Sequence, residues 1–307
     1  MKRFFLRLFL FLLVIVLFDQ LFGVGMAAIL KNTEKGDWGR NNYIFNEVDH
    51  DVVILGSSRA IHHYDPKIFS DTLGMSCYNC GEDGMGIFLM YPRFRAIEAR
   101  KTPKIVIYEV LPEYDLLKEA DNLKYLKFLR PYTNSYVVDS IVNRISTTEK
   151  YKLWSNGYRF NSVFVDIVAQ RLSKAKRTAK DYTYMPEEKV MSESMYDRQD
   201  ISSSVDEHLI YDEAKLTLIE DMIVRCMGLE TKLIFTVSPK YKATSDPGYY
   251  PLQMLCEKYG VSFIDHYCDT GLNSDHSLFA DTNHLNMKGA VIFSSQLASE
   301  IKEIVKE

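Results

Sequence analysis

Apolar and polar positions alternate along this chain in three distinct ways. From Leu8 to Phe18 every position is apolar. Further on come five short runs rich in β-branched and aromatic residues, Asp51–Leu55, Met75–Cys80, Lys104–Val110, Lys232–Val237 and Val261–Asp265, each bounded by turn or helix signals and each a predicted strand. The best of them are almost unbroken in Val, Ile, Leu and Phe, as strands covered on both faces are. Between them the apolar positions recur at helical spacing. Asp65-Pro66 supplies an N-cap and a first-turn proline for a helix that stops near Gly74. Ile87–Arg100 and Glu207–Gly228 read as helices, the second with Leu209, Ala214, Leu216, Leu218, Ile219 and Ile223 facing a core. A last helix follows Asn286, with Val291, Ile292, Leu297, Ile301, Ile304 and Val305 inward. This β–α alternation predicts an α/β domain: a five-stranded, mainly parallel sheet with right-handed crossovers.

The N-terminal apolar run is preceded by Lys2, Arg3 and Arg7. Eleven residues rise only about 16 Å as a helix, short of a ~30 Å hydrocarbon core. Continued through Asp19 and Gln20 to Leu30 the segment is long enough, with one acidic interruption near mid-span. A cleaved signal peptide and an uncleaved signal anchor both fit. Gly25-Met26-Ala27 is a mediocre cleavage site and apolar sequence runs past it, which favours an anchor over residues 1–30. In either case the basic end stays inside and residues 31–307 are exported to a periplasmic or extracellular space.

The third and fourth strands are separated by an insertion, about 111–206, with two amphipathic stretches, Ser135–Ile145 and Asn161–Leu172, and nine of the twenty tyrosines. A basic cluster follows (Arg171, Lys174, Lys176, Arg177, Lys180). The segment reads either as a helical cap, with tyrosines for a sugar and cations for an anionic polymer or headgroup, or as a solvated helix end with half-buried tyrosines. The chain carries a net charge of −4, and residues 1–30 contribute +2, so the rest carries −6. That balance weighs against nucleic acid as a partner. Five cysteines leave at least one unpaired. Cys77 and Cys80 have C-x-x-C spacing, but no second pair or histidine cluster completes a metal site, and both read as packing residues.

In open α/β sheets ligands bind beyond the carboxyl ends of the strands. Following the first strand is Gly56-Ser57-Ser58-Arg59; following the second, Asn79 to Gly84; following the third, Leu111-Pro112-Glu113; following the fourth, Ser238-Pro239. Past the fifth lies Asp281-Thr282-Asn283-His284. A serine attacks an acyl carbon only when an imidazole takes its proton and a carboxylate orients that imidazole. Ser58, His284 and Asp281 can form that set, with the N–H groups of Ser58 and Gly84 as oxyanion donors. Ser57 is the alternative nucleophile. Arg59, Asn79 and Ser238 are candidate substrate contacts, although Arg59 also suits anchoring the turn through a carboxylate. His62 and His63, close after the nucleophile turn, could line the cleft but better suit surface or capping roles, and Asp265-His266 and Asp275-His276 read as loop residues. No glycine-rich phosphate loop follows the first strand, against nucleotide binding. No cofactor is called for.

These blocks resemble the SGNH/GDSL hydrolase superfamily. Gly56-Ser57-Ser58 matches its Gly-Asp-Ser block, Asn79–Gly84 its N-x-G-x-x-G-like turn, and Asp281 with His284 its D-x-x-H block, followed by Leu285-Asn286 and Gly289-Ala290. The resemblance implies a flavodoxin-like three-layer α/β/α sandwich. It also implies a serine nucleophile at Ser58, a base at His284 oriented by Asp281, and an oxyanion donor at Gly84. One block departs: Glu113 stands near the family's oxyanion-binding Asn, and an ionised Glu cannot donate a hydrogen bond. The Gly-Ser-Ser variant with one N-terminal membrane anchor and an exported domain looks like D-alanyl-lipoteichoic acid biosynthesis proteins and alginate-type O-acetyltransferases. That likeness implies an acylated cell-envelope carbohydrate as substrate and esterase or acyltransferase chemistry. Glu113 keeps open a non-catalytic scaffold serving a membrane-bound acyl-transfer partner.

Overall fold

Each of the five apolar runs becomes a strand: β1 (Val52–Gly56), β2 (Cys77–Asn79), β3 (Ile105–Glu109), β4 (Lys232–Val237) and β5 (Ser262–Asp265). They form one sheet in the order β2-β1-β3-β4-β5, with every neighbouring pair parallel. The sheet is therefore wholly parallel. This computed structural model describes residues 1–133, 135–181, 184–192 and 209–306. The chain divides into two compact units, Glu47–Ala120 with Thr183–Glu307, and Met1–Asn46 with Asp121–Tyr182.

In the sheet unit, Val52, Ile54, Ile105, Ile107 and Ile234 pack on one side against Phe69 of the helix Pro66–Leu73 and against Phe293, Leu297 and Ile301 of the helix Met287–Lys306. The alternate positions Val53, Leu55, Val106, Tyr108 and Phe235 are equally buried. The helices Ile87–Glu98 and Glu213–Gly228 pack together, the second also against β4. Both faces are covered, which is why these strands lack polar alternation. The result is a flavodoxin-like three-layer sandwich, and its strand order reverses between β1 and β3, where such folds form a ligand crevice. The helix Pro66–Leu73 starts where Asp65 accepts a bond from the Lys67 N–H and ends at Gly74 in the left-handed conformation.

Two helices differ from expectation. The start predicted at Glu207 lies outside the described residues, but Leu209 is exposed and the helix begins only at Glu213. Asp212 caps it through the N–H groups of Ala214 and Lys215, while residues 210–212 hydrogen-bond in extended form to Leu116 and Lys118. Leu216 is half-buried, and Lys215 is buried instead, its ammonium held by Leu117 O and Glu119 at 2.8 Å each. In the last helix Val291, Ile292 and Val305 face solvent; the buried stripe runs through Ala290, Phe293, Ser294, Leu297, Ala298 and Ile301. Cys77 and Cys80 are free thiols in and just after β2.

The other unit is helical. Its first helix, α1 (Lys2–Lys31), exposes its apolar residues as far as Phe18. Met26 and Leu30 further along are buried against Trp38, Phe160, Val163 and Ile167. The two stretches expected in the insertion form the helices Tyr136–Ile145 and Phe164–Leu172. The second begins three residues later than expected because Ser162 has φ 65°, which no α-helix admits. The last part of the insertion, residues 193–206, lies outside the described residues.

Candidate active site

The sharp exit from β1 makes the site. Gly56 has φ 138°, and a Cβ there would stand 2.5 Å from the Glu109 carbonyl oxygen. Only glycine fits that turn. Ser57 then becomes the N-cap and Ser58 the first residue of the short helix Ser58–His63. From the far end of the sequence, Asp281 shapes its own loop: one carboxylate oxygen accepts the backbone N–H groups of Asn283 and His284, both at 2.9 Å. The same oxygen lies 3.0 Å from His284 Nδ1, and the other lies at 3.1 Å. On the opposite side of the ring, His284 Nε2 is 2.9 Å from Ser58 Oγ. Burial raises the Asp281 pKa, but the N–H groups of His284 and Asn283 outweigh it and hold the carboxyl at about 2. Asp281 is thus an ionised acceptor. The Nδ1 hydrogen must point to it, which leaves Nε2 to accept the Ser58 hydroxyl proton.

Beneath this set lies a buried polar network. The Leu285 N–H donates to His63 Nε2 at 2.9 Å, so His63 carries its hydrogen on Nδ1 and donates it to Ser238 Oγ at 2.7 Å. Burial, then the charge of Arg59 and the neighbouring His284, hold the His63 pKa well below its ordinary value, so the ring is neutral. Ser238 Oγ also accepts from Arg59 Nε at 3.0 Å and donates to Glu109 Oε1 at 3.1 Å. Its N–H reaches Glu109 Oε2 at 3.0 Å. Glu109 also pairs with Arg59 at 3.2 Å and accepts from the Tyr64 hydroxyl. The peptide link after His284 is thereby tied to the ends of β3 and β4.

Above Ser58 and His284 opens a cleft of about 160 Å³, lined also by Arg59, Glu113, Tyr114, Lys240, Tyr267 and Asn283. Ser58, His284 and Asp281 lie in series within hydrogen-bond distance of one another. Glu113 lines the cleft with an exposed side chain. The N–H groups of Ser58 and Gly84, the latter at φ 66°, have no hydrogen-bond partner among the described residues; Gly84 is not part of the cleft lining. Asn79 lies inside the protein, its amide bonded to the backbone of Ala60, Tyr64 and Gly81, so it holds the turn. Ser238 belongs to the buried network. Arg59 is buried over the Tyr267 ring, 5.5 Å from its centroid, and pairs with Glu109, the anchoring role weighed for it. Ser57 is buried and its hydroxyl has no partner among the described residues.

His63 is an interior residue, not a surface or capping one. His62 bonds Asp83 at 2.9 Å, with its ring 5.6 Å from that of His284. His266 bonds Glu300 at 2.9 Å. Sequence reasoning missed Glu109, Lys240, Tyr267 and Asn283. Only Glu109 carried a signal, an acid at the end of an apolar strand in the sequence KIVIYEV.

No family model matches the chain, and no curated protein does. Among solved structures it is similar to one from Bacteroides fragilis described as a "putative acylhydrolase". The match covers 82% of this chain and 87% of the other, at 11% sequence identity and a TM-score of 0.39.

Proposed function

We propose that this chain is a membrane-anchored, extracytoplasmic serine esterase or O-acyltransferase of the SGNH type, acting on acylated cell-envelope carbohydrate. The observation that carries the reading is the unbroken hydrogen-bond chain from Ser58 Oγ through His284 to Asp281 at 2.9 and 3.0 Å. Ser58 Oγ attacks the acyl carbonyl as its proton passes to His284 Nε2. Asp281 holds the ring and stabilises the imidazolium that forms. The Ser58 N–H takes the developing oxyanion, with the Asn283 amide, which lines the same cleft, as the side-chain donor in place of the family's Asn. Collapse expels the alcohol, which takes the proton from His284 and leaves an acyl-Ser58 ester. Attack by water then completes hydrolysis, and attack by a sugar hydroxyl completes transfer. The helix α1, long and apolar enough to cross a membrane, supports the anchor.

A fluorophosphonate probe tests the reading. Labelling of the wild type, lost in Ser58→Ala and kept in Ser57→Ala, is expected. A folded wild type that takes no label would overturn it in favour of a non-catalytic scaffold, the reading that Glu113 in the cleft keeps alive.

A further inference from the structure

Asp19 looks costly in an apolar helix, yet the structure uses it. Its carboxylate accepts the Ser155 hydroxyl and the N–H groups of Asn156 and Gly157, each at 2.8 Å. Gly23, one turn on, has no side chain to keep Asn156 away; a Cβ there would lie 2.3 Å from it. The short helix Asn156–Arg159 is therefore clamped to α1 at one fixed level. Around that level the unit exposes large apolar side chains. Just before the clamp stand Tyr151, 61% exposed, and Trp154, 80% exposed, with their rings edge to face at 6.4 Å. Just after it, Phe164 and Val165 are also exposed. Lys150 and Lys152 flank Tyr151 and are exposed as well, Lys150 over the Tyr151 ring and Lys152 paired with Glu149 at 2.7 Å. Between α1 and Gly157 runs an open groove of about 490 Å³ lined by Val14, Ile15, Phe18 and Phe22.

We propose that Tyr151, Trp154, Phe164 and Val165 seat this helical unit in the headgroup layer of the bilayer that α1 spans, with the hydrocarbon ending at Phe18. The inference rests on the membrane-anchored reading and adds to it a second contact and a fixed depth. Phe164 packs edge to face on Phe22 of α1 at 6.2 Å, so the patch joins α1 there and one lipid surface can cover both. Exposed Trp and Tyr rings with adjacent ammonium groups match an interface that is apolar on one side and phosphate-bearing on the other. Lys2–Phe18 rises about 25 Å, within a few ångströms of the ~30 Å core. Arg3 stands at the inner end of this span, and the Arg7 side chain tilts toward the helix start and the same interface. Asp19 then stands at the outer boundary instead of near mid-span, where its position in the sequence put it. The apolar groove would take an acyl chain.

The experiment uses the full chain in phosphatidylcholine vesicles whose acyl chains are brominated near the headgroup or near the chain end. Trp38, the other of the two tryptophans, is buried, so subtracting the emission of Trp154→Phe isolates Trp154. Headgroup-proximal bromine is expected to remove roughly half of the Trp154 emission, and terminal bromine much less, as the interfacial preference of Trp requires. Trp154 emission unchanged by either lipid, in protein that co-floats and resists alkaline carbonate, overturns this proposal and leaves the anchor standing. A blue-shifted but unquenched Trp154 assigns the face to a second copy and also overturns it. Protein extracted by carbonate sinks the anchor itself.

Discussion

Replacing Asp281 by Asn is the sharpest probe of the catalytic reading, because it changes a hydrogen-bond role with almost no change in shape. The amide oxygen can still accept the N–H groups of Asn283 and His284. Its NH2 group must then face His284 Nδ1, which forces the ring hydrogen onto Nε2. There it points at Ser58 Oγ, and the ring can no longer take the hydroxyl proton. The stability cost is small. The carboxyl falls from 3.8 to about 2 in the folded protein, close to 2 kcal/mol at ~1.36 kcal/mol per unit. Its side chain is 31% exposed, so screening trims this to about 1–2 kcal/mol. The pKa is lowered by folding, so that stabilisation is present above about pH 4 and fades as pH falls toward 2. The variant should therefore fold at neutral pH and melt only slightly lower. Its rates of fluorophosphonate labelling and p-nitrophenyl acetate turnover should fall by about 10³–10⁴, the loss expected when the base is locked in the wrong tautomer. A folded variant that reacts within about tenfold of wild type would refute the assigned roles.

Gly56→Ala should lower stability by about 3 kcal/mol and activity with it, since the new Cβ meets Glu109 O at 2.5 Å in a backbone conformation that L-residues avoid; a melt near the wild-type value would contradict the turn's role. Glu109→Ala strands the buried Arg59 guanidinium and should cost about 3–5 kcal/mol in urea unfolding. Burial raises Asp115 to about 7 against the hydrogen bonds from Leu111 and Tyr108. The folded protein then holds a proton that the unfolded chain releases, and stability should fall by up to about 4 kcal/mol between pH 4 and pH 7. Asp115→Asn should flatten that slope, and an unchanged slope would point to another group.

The central strands β1, β3 and β4 were legible in the chain because a strand buried on both faces must be apolar almost throughout, a local property, whereas the less buried edge strands β2 and β5 were legible from the turn signals that bound them. The helix Pro66–Leu73 was legible for the same kind of reason, since Asp65, Pro66 and Gly74 act on neighbouring backbone atoms. The faces of the last helix were not. Val291 and Ile292 are as apolar as Phe293 and Leu297, and only the placement of the sheet says which of them meets it. Asp19 reads as a defect in an apolar helix until Ser155–Gly157, far along the chain, are found capped by it. Likewise Ser58 and His284 could be named from their motifs, whereas their 2.9 Å separation depends on β1 ending beside the loop that Asp281 folds. His63, Ser238 and Glu109 carry no motif at all. They became a support for His284 when a parallel sheet brought the ends of β1, β3 and β4 together, because buried donors and acceptors must find one another wherever the fold puts them. Sequence by itself determined which segments could be strands, helices and chemistry. Tertiary structure decided which polar groups share an interior, since that depends on distances between residues that the order of the chain does not contain.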